Sequence, residues 1–297
     1  MGVSEQRTGF RTTYRILGQG ATVTINEGVC MTRPTKGYLA AVVIMNLLAL
    51  TPVCAQQPHP PPEPPSPEHP AVEPSALEML KAMSARLAGA KSMSFTAVTT
   101  YEAPARNGQP LYYTTLSQIA VQRPNKLRVI TPGDGPPSDF YYDGKTMMAY
   151  TPGANLVAVT NAPPTIDAAM KAAYDKAAIY FPFGEVIVAD PYKNLSDGLT
   201  SAFVVGQSHV VGDTITDIVA IANANVQAEI WIGIADGLPR MARAIYPKDA
   251  TQSRYEIQFS NWHLNPNMRD ADFTSTEALK APRVDFARPD ADLPGKP

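Results

Sequence analysis

The residues best suited to catalysis are a serine, two histidines and an aspartate. Ser208, His209 and Asp213 lie close together in the sequence, and His263 follows on a later predicted strand. A Ser-His-Asp set of this kind can activate a serine hydroxyl as the nucleophile of a hydrolase. The sequence contains no Gly-x-Ser-x-Gly elbow, no His-Glu-x-x-His zinc motif and no phosphate-binding loop. Because nothing in the pattern forces the four residues together, we treat a hydrolase as the minor alternative and predict that the protein is not an enzyme.

Metal-ligating residues are equally sparse. His59 and His69 lie in a proline-rich segment without further ligands at metal-binding spacing, so we interpret them as solvated. The run from Asn265 to Asp272 is rich in oxygen ligands, but it lacks the glycine and the final glutamate of a calcium-binding EF-hand loop. Cys30 and Cys54 precede the predicted signal cleavage site, which leaves the mature chain without cysteine. The sequence therefore predicts no metal, no disulfide and no cofactor.

A secretory signal peptide is predicted at residues 31–55. Arg33 and Lys36 supply the positive charge, an uncharged apolar run extends to Leu50, and small residues follow near the cleavage site. The apolar run is much shorter than the roughly 20 residues that a membrane-spanning helix needs, which favours cleavage near Ala55-Gln56 over anchoring. We therefore expect a periplasmic or secreted protein with no transmembrane segment in the mature chain.

Two features around the signal peptide leave alternatives open. We interpret residues 1–30 as a misassigned N-terminal extension; the rival interpretation is a genuine cytoplasmic extension. Cys54 follows a hydrophobic run, as in lipoproteins, but Val53 stands where lipid attachment usually requires a small residue. We favour a soluble product over a lipoprotein.

The remaining chain divides into three parts. Residues 56–74 are a proline-rich linker, residues 75–285 form the folded domain, and residues 286–297 are a flexible tail. Without residues 1–55, Lys+Arg falls from 25 to 20 and Asp+Glu from 27 to 25, which gives a net charge of about −5. This charge provides no basic field for nucleic acid.

The folded domain is predicted to begin with a helix and to continue as strands. Ser75 and Glu78 match a capping box, and apolar residues recur at helical spacing up to Gly89. The period then changes to two, and a second helix is predicted over Thr165–Tyr180. The predicted strands are Phe95–Tyr101, Leu111–Gln122, Leu127–Thr131, Phe140–Tyr142, Lys145–Thr151, Leu156–Thr160, Ala202–Val205, Ser208–Val211, Asp217–Ala222, Ala228–Ile234, Met241–Tyr246, Tyr255–Trp262 and Phe273–Thr276.

The short links between these strands are typical of an antiparallel meander. A sheet of about ten strands usually curls into a barrel or a partial barrel. We therefore predict an α+β fold that is mostly antiparallel β, in which a curved incomplete barrel is covered by two or more helices.

Several short motifs, taken in order, resemble a known superfamily. The runs Arg123–Arg128 and Tyr141–Thr146, followed by Tyr150, resemble the "RP-x-K-x-R … YDGKT … Y" pattern of LolA-like periplasmic proteins. The runs Ala228–Ile232 and Leu238–Arg240 resemble "WQIWI … LPRK" in a predicted periplasmic family of unknown function within that superfamily. The resemblance implies a half-barrel closed by helices, with an apolar cavity that holds acyl chains of lipids or lipoproteins. A role in lipid or lipoprotein trafficking is one implication.

The predicted binding residues are large side chains on apolar strand faces and on the covering helix. Alternation alone cannot distinguish a ligand cavity from a solid core, so both interpretations stay open at this stage. A regulatory or scaffold module that binds an envelope protein is the alternative function, and a monomer is expected. The candidate ligand-binding residues are Phe95, Tyr113, Ile119, Met147, Met170, Tyr180, Trp231, Ile257 and Phe259.

Overall fold

The computed structural model describes residues 12–15, 22–25, 71–133, 136–249 and 252–288. The predicted signal peptide and most of the linker and of the tail lie outside the described residues. Within the N-terminal region, strands β1 (Thr12–Arg15) and β2 (Thr22–Ile25) form a two-stranded sheet.

The main body of the fold is a 12-stranded sheet with the order β14-β8-β7-β6-β5-β4-β3-β13-β12-β11-β10-β9. All neighbouring strands are antiparallel except β14, which runs parallel to β8. The sheet is open, because β14 and β9 form its two edges. Its strands are β3 (Ser92–Pro104), β4 (Pro110–Gln122), β5 (Lys126–Thr131), β6 (Ser138–Tyr142), β7 (Thr146–Thr151), β8 (Leu156–Asn161), β9 (Ser201–Ser208), β10 (Thr216–Ala222), β11 (Gln227–Gly233), β12 (Pro239–Ile245), β13 (Arg254–Leu264) and β14 (Arg283–Val284).

In the part of the chain that the structure describes, five helices accompany the sheet: α1 (Pro74–Ala88), α2 (Ile166–Ala177), α3 (Gly184–Ile187), α4 (Pro191–Ser196) and α5 (Thr276–Lys280). This architecture confirms the predicted fold class, an α+β protein with a large, open, mostly antiparallel sheet covered by helices. None of the described helices has both the length and the apolarity required to span a membrane.

The start of α1 differs from the prediction. The N-cap residue is Glu73, without a side-chain cap hydrogen bond, and Pro74 occupies the first turn. The predicted capping box of Ser75 and Glu78 is therefore wrong. Pro74 suits the first turn because its backbone nitrogen has no hydrogen to leave unpaired. The Glu73 carboxylate instead accepts a hydrogen bond from the Val204 backbone N–H at 3.1 Å.

Two other boundaries were predicted incorrectly. The two short strands expected between Ala202 and Val211 are one strand, β9, which contains a bulge where its register with β10 shifts. The helix expected to reach Tyr180 ends at Ala177, because Ala178 adopts a left-handed conformation with φ of 55°. Tyr180 therefore lies in the segment that follows α2.

The predicted strand Phe273–Thr276 is also wrong. Residues Asp270–Phe273 form a 3-10 turn, and α5 follows with Ser275 as its N-cap, whose hydroxyl accepts a hydrogen bond from Ala278 at 3.2 Å. The turn is held to β5 by Lys126, whose Nζ lies 2.5 Å from Asp270 Oδ1. Two aspartates of the acidic run that we compared with a calcium-binding loop therefore pair with cationic side chains: Asp270 with Lys126 and Asp272 with Arg269.

The main core lies on one face of the sheet, which we call the helix-bearing face. From α1 it receives Leu80, Met83 and Leu87, all at most 2% exposed, at the helical spacing seen in the sequence. Burying a side chain of this type stabilises the fold by about 1.5–3 kcal/mol. A smaller cluster on the opposite face contains Met148 and Tyr150 and is covered by Ala278 of α5.

Candidate functional site

The helix-bearing face encloses a cavity of about 290 Å³. Its floor comes from β3 and from β10 to β13, and α1, α3 and α4 cover it. Apolar side chains dominate its walls, including Met83 and Leu87 from α1, Val186 from α3, and Ile257 and Phe259 from β13. We call this end of the face the cavity half.

Two of the helices over the cavity, α3 and α4, are very short, and we call this pair the cover. Asp190 is the N-cap of α4: its carboxylate accepts a hydrogen bond from the Lys193 N–H at 3.0 Å, and Pro191 occupies the first turn. Asn194 Nδ2 of α4 donates to Glu185 Oε2 of α3 at 3.1 Å. Each helix is thus positioned by local side-chain hydrogen bonds.

The C-terminal end of α3 is tied to two segments outside the cavity. Arg123 Nη1 donates to the Ile187 carbonyl oxygen at 2.9 Å. The carboxylate of Asp167, at the start of α2, accepts from the Ala189 N–H at 3.1 and 3.2 Å. Burial lowers the pKa of the Arg123 guanidinium, and the charge of Asp167 opposes that change. These bonds hold α3 in place over the sheet.

The other end of the same face is solid; we call it the filled half. It consists of the inner side chains of β4 to β8 packed against α2. Leu127, Tyr142 and Met147 are completely buried there, as is Ala173 of α2. An aromatic cluster separates the two halves: the Phe95 ring stacks on Trp262 at 4.3 Å between centroids and meets Phe183 and Phe259 edge-on at 5.9 and 6.0 Å.

A row of tyrosines extends across the open side of the cavity half. Tyr113, Tyr101 and Tyr255 stack in succession, with centroids 5.5 and 5.9 Å apart. Tyr246 meets Tyr255 at an interplanar angle of 88°, and Tyr180 interacts electrostatically with both Tyr246 and Tyr255. Burial raises the pKa values of Tyr101, Tyr180, Tyr246 and Tyr255, so all four are neutral hydroxyls at physiological pH.

The structure brings only some of the predicted binding residues to the cavity. Tyr180, Ile257 and Phe259 line it. Phe95 is in the separating aromatic cluster, and Tyr113 is in the tyrosine row beside the cavity. These five residues share the helix-bearing face, and whether they contact a ligand stays a prediction.

Four predicted residues lie elsewhere. Ile119 and Met147 are buried in the filled half, and Met170 packs against Gly184 beside the cover. Trp231 lies on the opposite face, where the Arg243 guanidinium stands 5.3 Å from its ring centroid. Strand alternation explains its location, because its neighbours Ile230 and Ile232 both belong to the main core.

Sequence reasoning missed α3 and α4 and the cavity residue Tyr246, and it placed Tyr255 on the same strand face as Ile257 and Phe259 without including it among the binding residues. The Asp190-Pro191 pair is a helix-start signal that could have located α4. The tyrosines gave no comparable signal, because their row is assembled from strands far apart in the sequence.

The candidate catalytic residues are not all brought together. Ser208 ends β9, whereas His263 is on β13, four strands away in the sheet. Both His209 and His263 are exposed. Among the residues that the structure describes, no group of three or more His, Cys, Asp or Glu side chains is arranged to hold a metal ion.

The fold and cavity define a β-sheet protein with an apolar hollow under a helical cover. The chain belongs to the family described as "Predicted periplasmic protein (DUF2092)", whose profile matches residues 76–287. This result confirms the family expected from the short motifs and agrees with the predicted periplasmic location. No curated protein matches the chain.

Several solved structures share features of the fold at low identity. An uncharacterised conserved protein from Thermus thermophilus is 12% identical with a TM-score of 0.40, covering 72% of this chain and 99% of its own. A LolA superfamily protein from Nitrosomonas europaea is 8% identical with a TM-score of 0.33, covering 67% and 97%. MucB of Pseudomonas aeruginosa, solved with MucA, is 18% identical with a TM-score of 0.39, covering 69% of this chain and 62% of its own. Structural similarity at these TM-scores does not indicate a shared function.

Proposed function

We propose that the protein is a periplasmic, non-catalytic binding protein that holds a hydrophobic chain, such as an acyl chain of a lipid or lipoprotein. The observation that carries this proposal is the cavity between the sheet and α1, α3 and α4. Concave sites with mostly apolar walls and a few polar groups are the usual form of small-molecule binding sites. The polar groups here, including Glu185 and the tyrosine hydroxyls, are at the cover and at the open side.

The size of the cavity limits the ligand. A volume of about 290 Å³ equals roughly ten water molecules at about 30 Å³ each, and a methylene group is of similar size. The cavity therefore accommodates one chain of about ten carbons. At about 0.8 kcal/mol per buried methylene, burial of such a chain gains roughly 8 kcal/mol before the costs of association.

The proposal is tested by native mass spectrometry of the full chain after export to a bacterial periplasm and purification without detergent. We expect an added mass that organic solvent releases as a lipid or an acylated peptide, or uptake of added decanoic acid by the apo protein. An apo mass with no uptake of decanoic acid would contradict the proposal.

A matched pair of variants assigns the binding to the cavity. Ala242 lines the cavity, whereas Ala220 is on the opposite face of the sheet. Ala242→Leu places three extra carbon atoms in the cavity and is expected to abolish uptake of decanoic acid. Ala220→Leu adds the same atoms outside it and is expected to leave uptake unchanged. Equal uptake by both variants would show that the chain binds elsewhere.

The edge strand β9 favours a second function, the binding of a protein partner in the envelope. Residue 72 pairs with the start of β9 at Ala202, but the rest of that edge has no strand beside it in the described residues. Phe203 and Val205 are 43% and 49% exposed there. An open edge with exposed apolar side chains can accept an added strand.

A photo-crosslinking residue at Val205 tests this second function in the periplasm. If a partner adds a strand, one defined crosslinked product is expected from position 205, and none from the matched position Leu279. Leu279 is 51% exposed on α5, which contacts β8 at the other end of the sheet. No product from either position would reject the second function.

A further inference from the structure

Three tyrosines form a corner where the cavity meets solvent. Tyr246 and Tyr255 are 5.8 Å apart and nearly perpendicular, so they form two walls rather than a stack. Tyr180 lines the same cavity and interacts electrostatically with both of them. All three side chains line the cavity, and Tyr180 and Tyr246 are 47% and 39% exposed. A group at the outer end of a bound chain would therefore meet aromatic rings.

The charged groups that act electrostatically on these three hydroxyls are negative, whereas Arg243, which also lines the cavity, is ion-paired with Glu256. Glu185, at the start of α3, lines the same cavity and acts electrostatically on both Tyr180 and Tyr246. Asp249, in the turn after β12, acts on Tyr255. Burial is the main cause of the raised pKa values of these hydroxyls, and the two carboxylates add to it. Among the described residues, no Lys or Arg contributes to these shifts.

Aromatic rings and carboxylates both favour a positive charge. A ring presents a negative face, and a cation within about 6 Å of the ring centroid is attracted to it. Sets of aromatic side chains are a common means of recognising quaternary ammonium groups. An anionic head group such as a phosphate or a carboxylate would face repulsion from Glu185 and Asp249.

We infer that the bound amphiphile carries a positively charged head, a primary or quaternary ammonium, which lies in the corner of Tyr180, Tyr246 and Tyr255 beside Glu185. This inference rests on the proposed function, because it assumes that the apolar chain occupies the cavity. It adds the chemical class of the head group and the direction of the ligand, with the chain toward Phe259 and the head toward solvent.

The head group is tested with three probes of equal chain length, namely decyltrimethylammonium, decanol and decyl sulfate. Binding to the full exported chain is measured by isothermal titration calorimetry below the concentration at which each probe forms micelles. We expect decyltrimethylammonium to bind at least about tenfold more tightly than decyl sulfate, with decanol between them. Equal affinities, or tighter binding of decyl sulfate, would overturn the inference.

Variants separate the ring contribution from the charge contribution. Tyr246→Leu removes one ring and is expected to weaken decyltrimethylammonium binding by about two- to fivefold, the usual contribution of one cation–π contact at an exposed site. Tyr246→Phe retains the ring and is expected to preserve most of the affinity. Glu185→Gln is expected to weaken binding of decyltrimethylammonium and to strengthen that of decyl sulfate.

Decanol distinguishes failure of this inference from failure of the proposed function. If decanol binds and neither the charged probes nor the variants show a preference, the cavity function stands and the ammonium head is rejected. If none of the three probes binds, the proposed function is rejected and the inference with it. Tyr112→Leu is the control variant, because Tyr112 is 67% exposed on β4 and does not line the cavity, and no change in preference is expected.

Discussion

The two halves of the helix-bearing face are built from similar strands but are closed differently. In the filled half, α2 is a helix of 12 residues whose buried Ile166, Ala169 and Ala173 pack directly on the sheet. In the cavity half, α3 and α4 have four and six residues and bring few large side chains toward the floor. The strand faces below are apolar in both halves. The cavity therefore exists because α3 and α4 are too short to fill the space above the sheet as α2 does.

The largest effect is expected from a core deletion in the filled half. Leu127 is fully buried between β4 and β6, so Leu127→Ala should lower the free energy of unfolding by about 2–5 kcal/mol through lost burial and a new cavity. Urea denaturation followed by circular dichroism measures this change. Ile257→Ala, at the edge of the existing cavity, should cost less; an equal loss would remove the distinction between the halves.

A smaller effect on stability, which differs between the two halves, is expected from adding atoms to each of them. Ala173→Leu should destabilise the protein by about 1–3 kcal/mol, because Ala173 is fully buried on the face of α2 that packs into the main core. Ala242→Leu should leave stability unchanged or raise it, because the added carbons enter the cavity. Thermal unfolding of the two variants checks the contrast. Similar losses in both would indicate that the cavity is as tightly packed as the filled half.

A third effect is expected on the local stability of α3, which Arg123 holds in place over the cavity. Arg123→Met removes the hydrogen bond to Ile187, so amide exchange in α3 should accelerate about tenfold, as measured by hydrogen exchange mass spectrometry. Global stability should change by only about 1 kcal/mol, because the structure describes no hydrogen-bond partner for the buried Nε and Nη2 of Arg123. Unchanged exchange in α3 would show that other contacts hold the cover.

The smallest effect is a pH dependence in the filled half. Asp143 begins the turn between β6 and β7; burial disfavours its charge, but hydrogen bonds from Thr146 and Lys145 outweigh burial and lower its pKa below 3.8. Its contribution is therefore complete above pH 3.8 and is lost as the pH falls through the lower folded-state value. Asp143→Asn should reduce the loss of stability between pH 6 and pH 3 in urea denaturation. An unchanged acid response would assign that loss to other carboxylates.

Much of the sheet could be predicted from the sequence because one face of each strand is buried. Phe95, Ala97 and Thr99 alternate with partly exposed residues, and all three point toward the helices, as the period of two requires. The helices α1 and α2 were recognisable for the same reason at a period of about 3.6.

The cavity could not be predicted, for a physical reason. Sequence periodicity indicates which side chains are buried. It does not indicate whether a buried strand face packs against other side chains or faces a cavity. Helices of four to six residues, such as α3, are shorter than two turns and show no period. The start of α1 was predicted incorrectly because the Glu73 carboxylate accepts a hydrogen bond from Val204 on β9. These two residues are 131 positions apart in the sequence.

The position of β3 in the sheet has a consequence for biogenesis. Strand β3 pairs with β4 on one side and with β13 on the other, where Asn261 donates to Thr96 across 165 residues of chain. Strands β3 to β8 can pair in the order in which they leave the export channel. One edge of β3 then stays open until β13 has emerged, and an unpaired edge is a site of aggregation. The joining of the two meanders along β3 therefore has to wait for β13, which comes late in the chain.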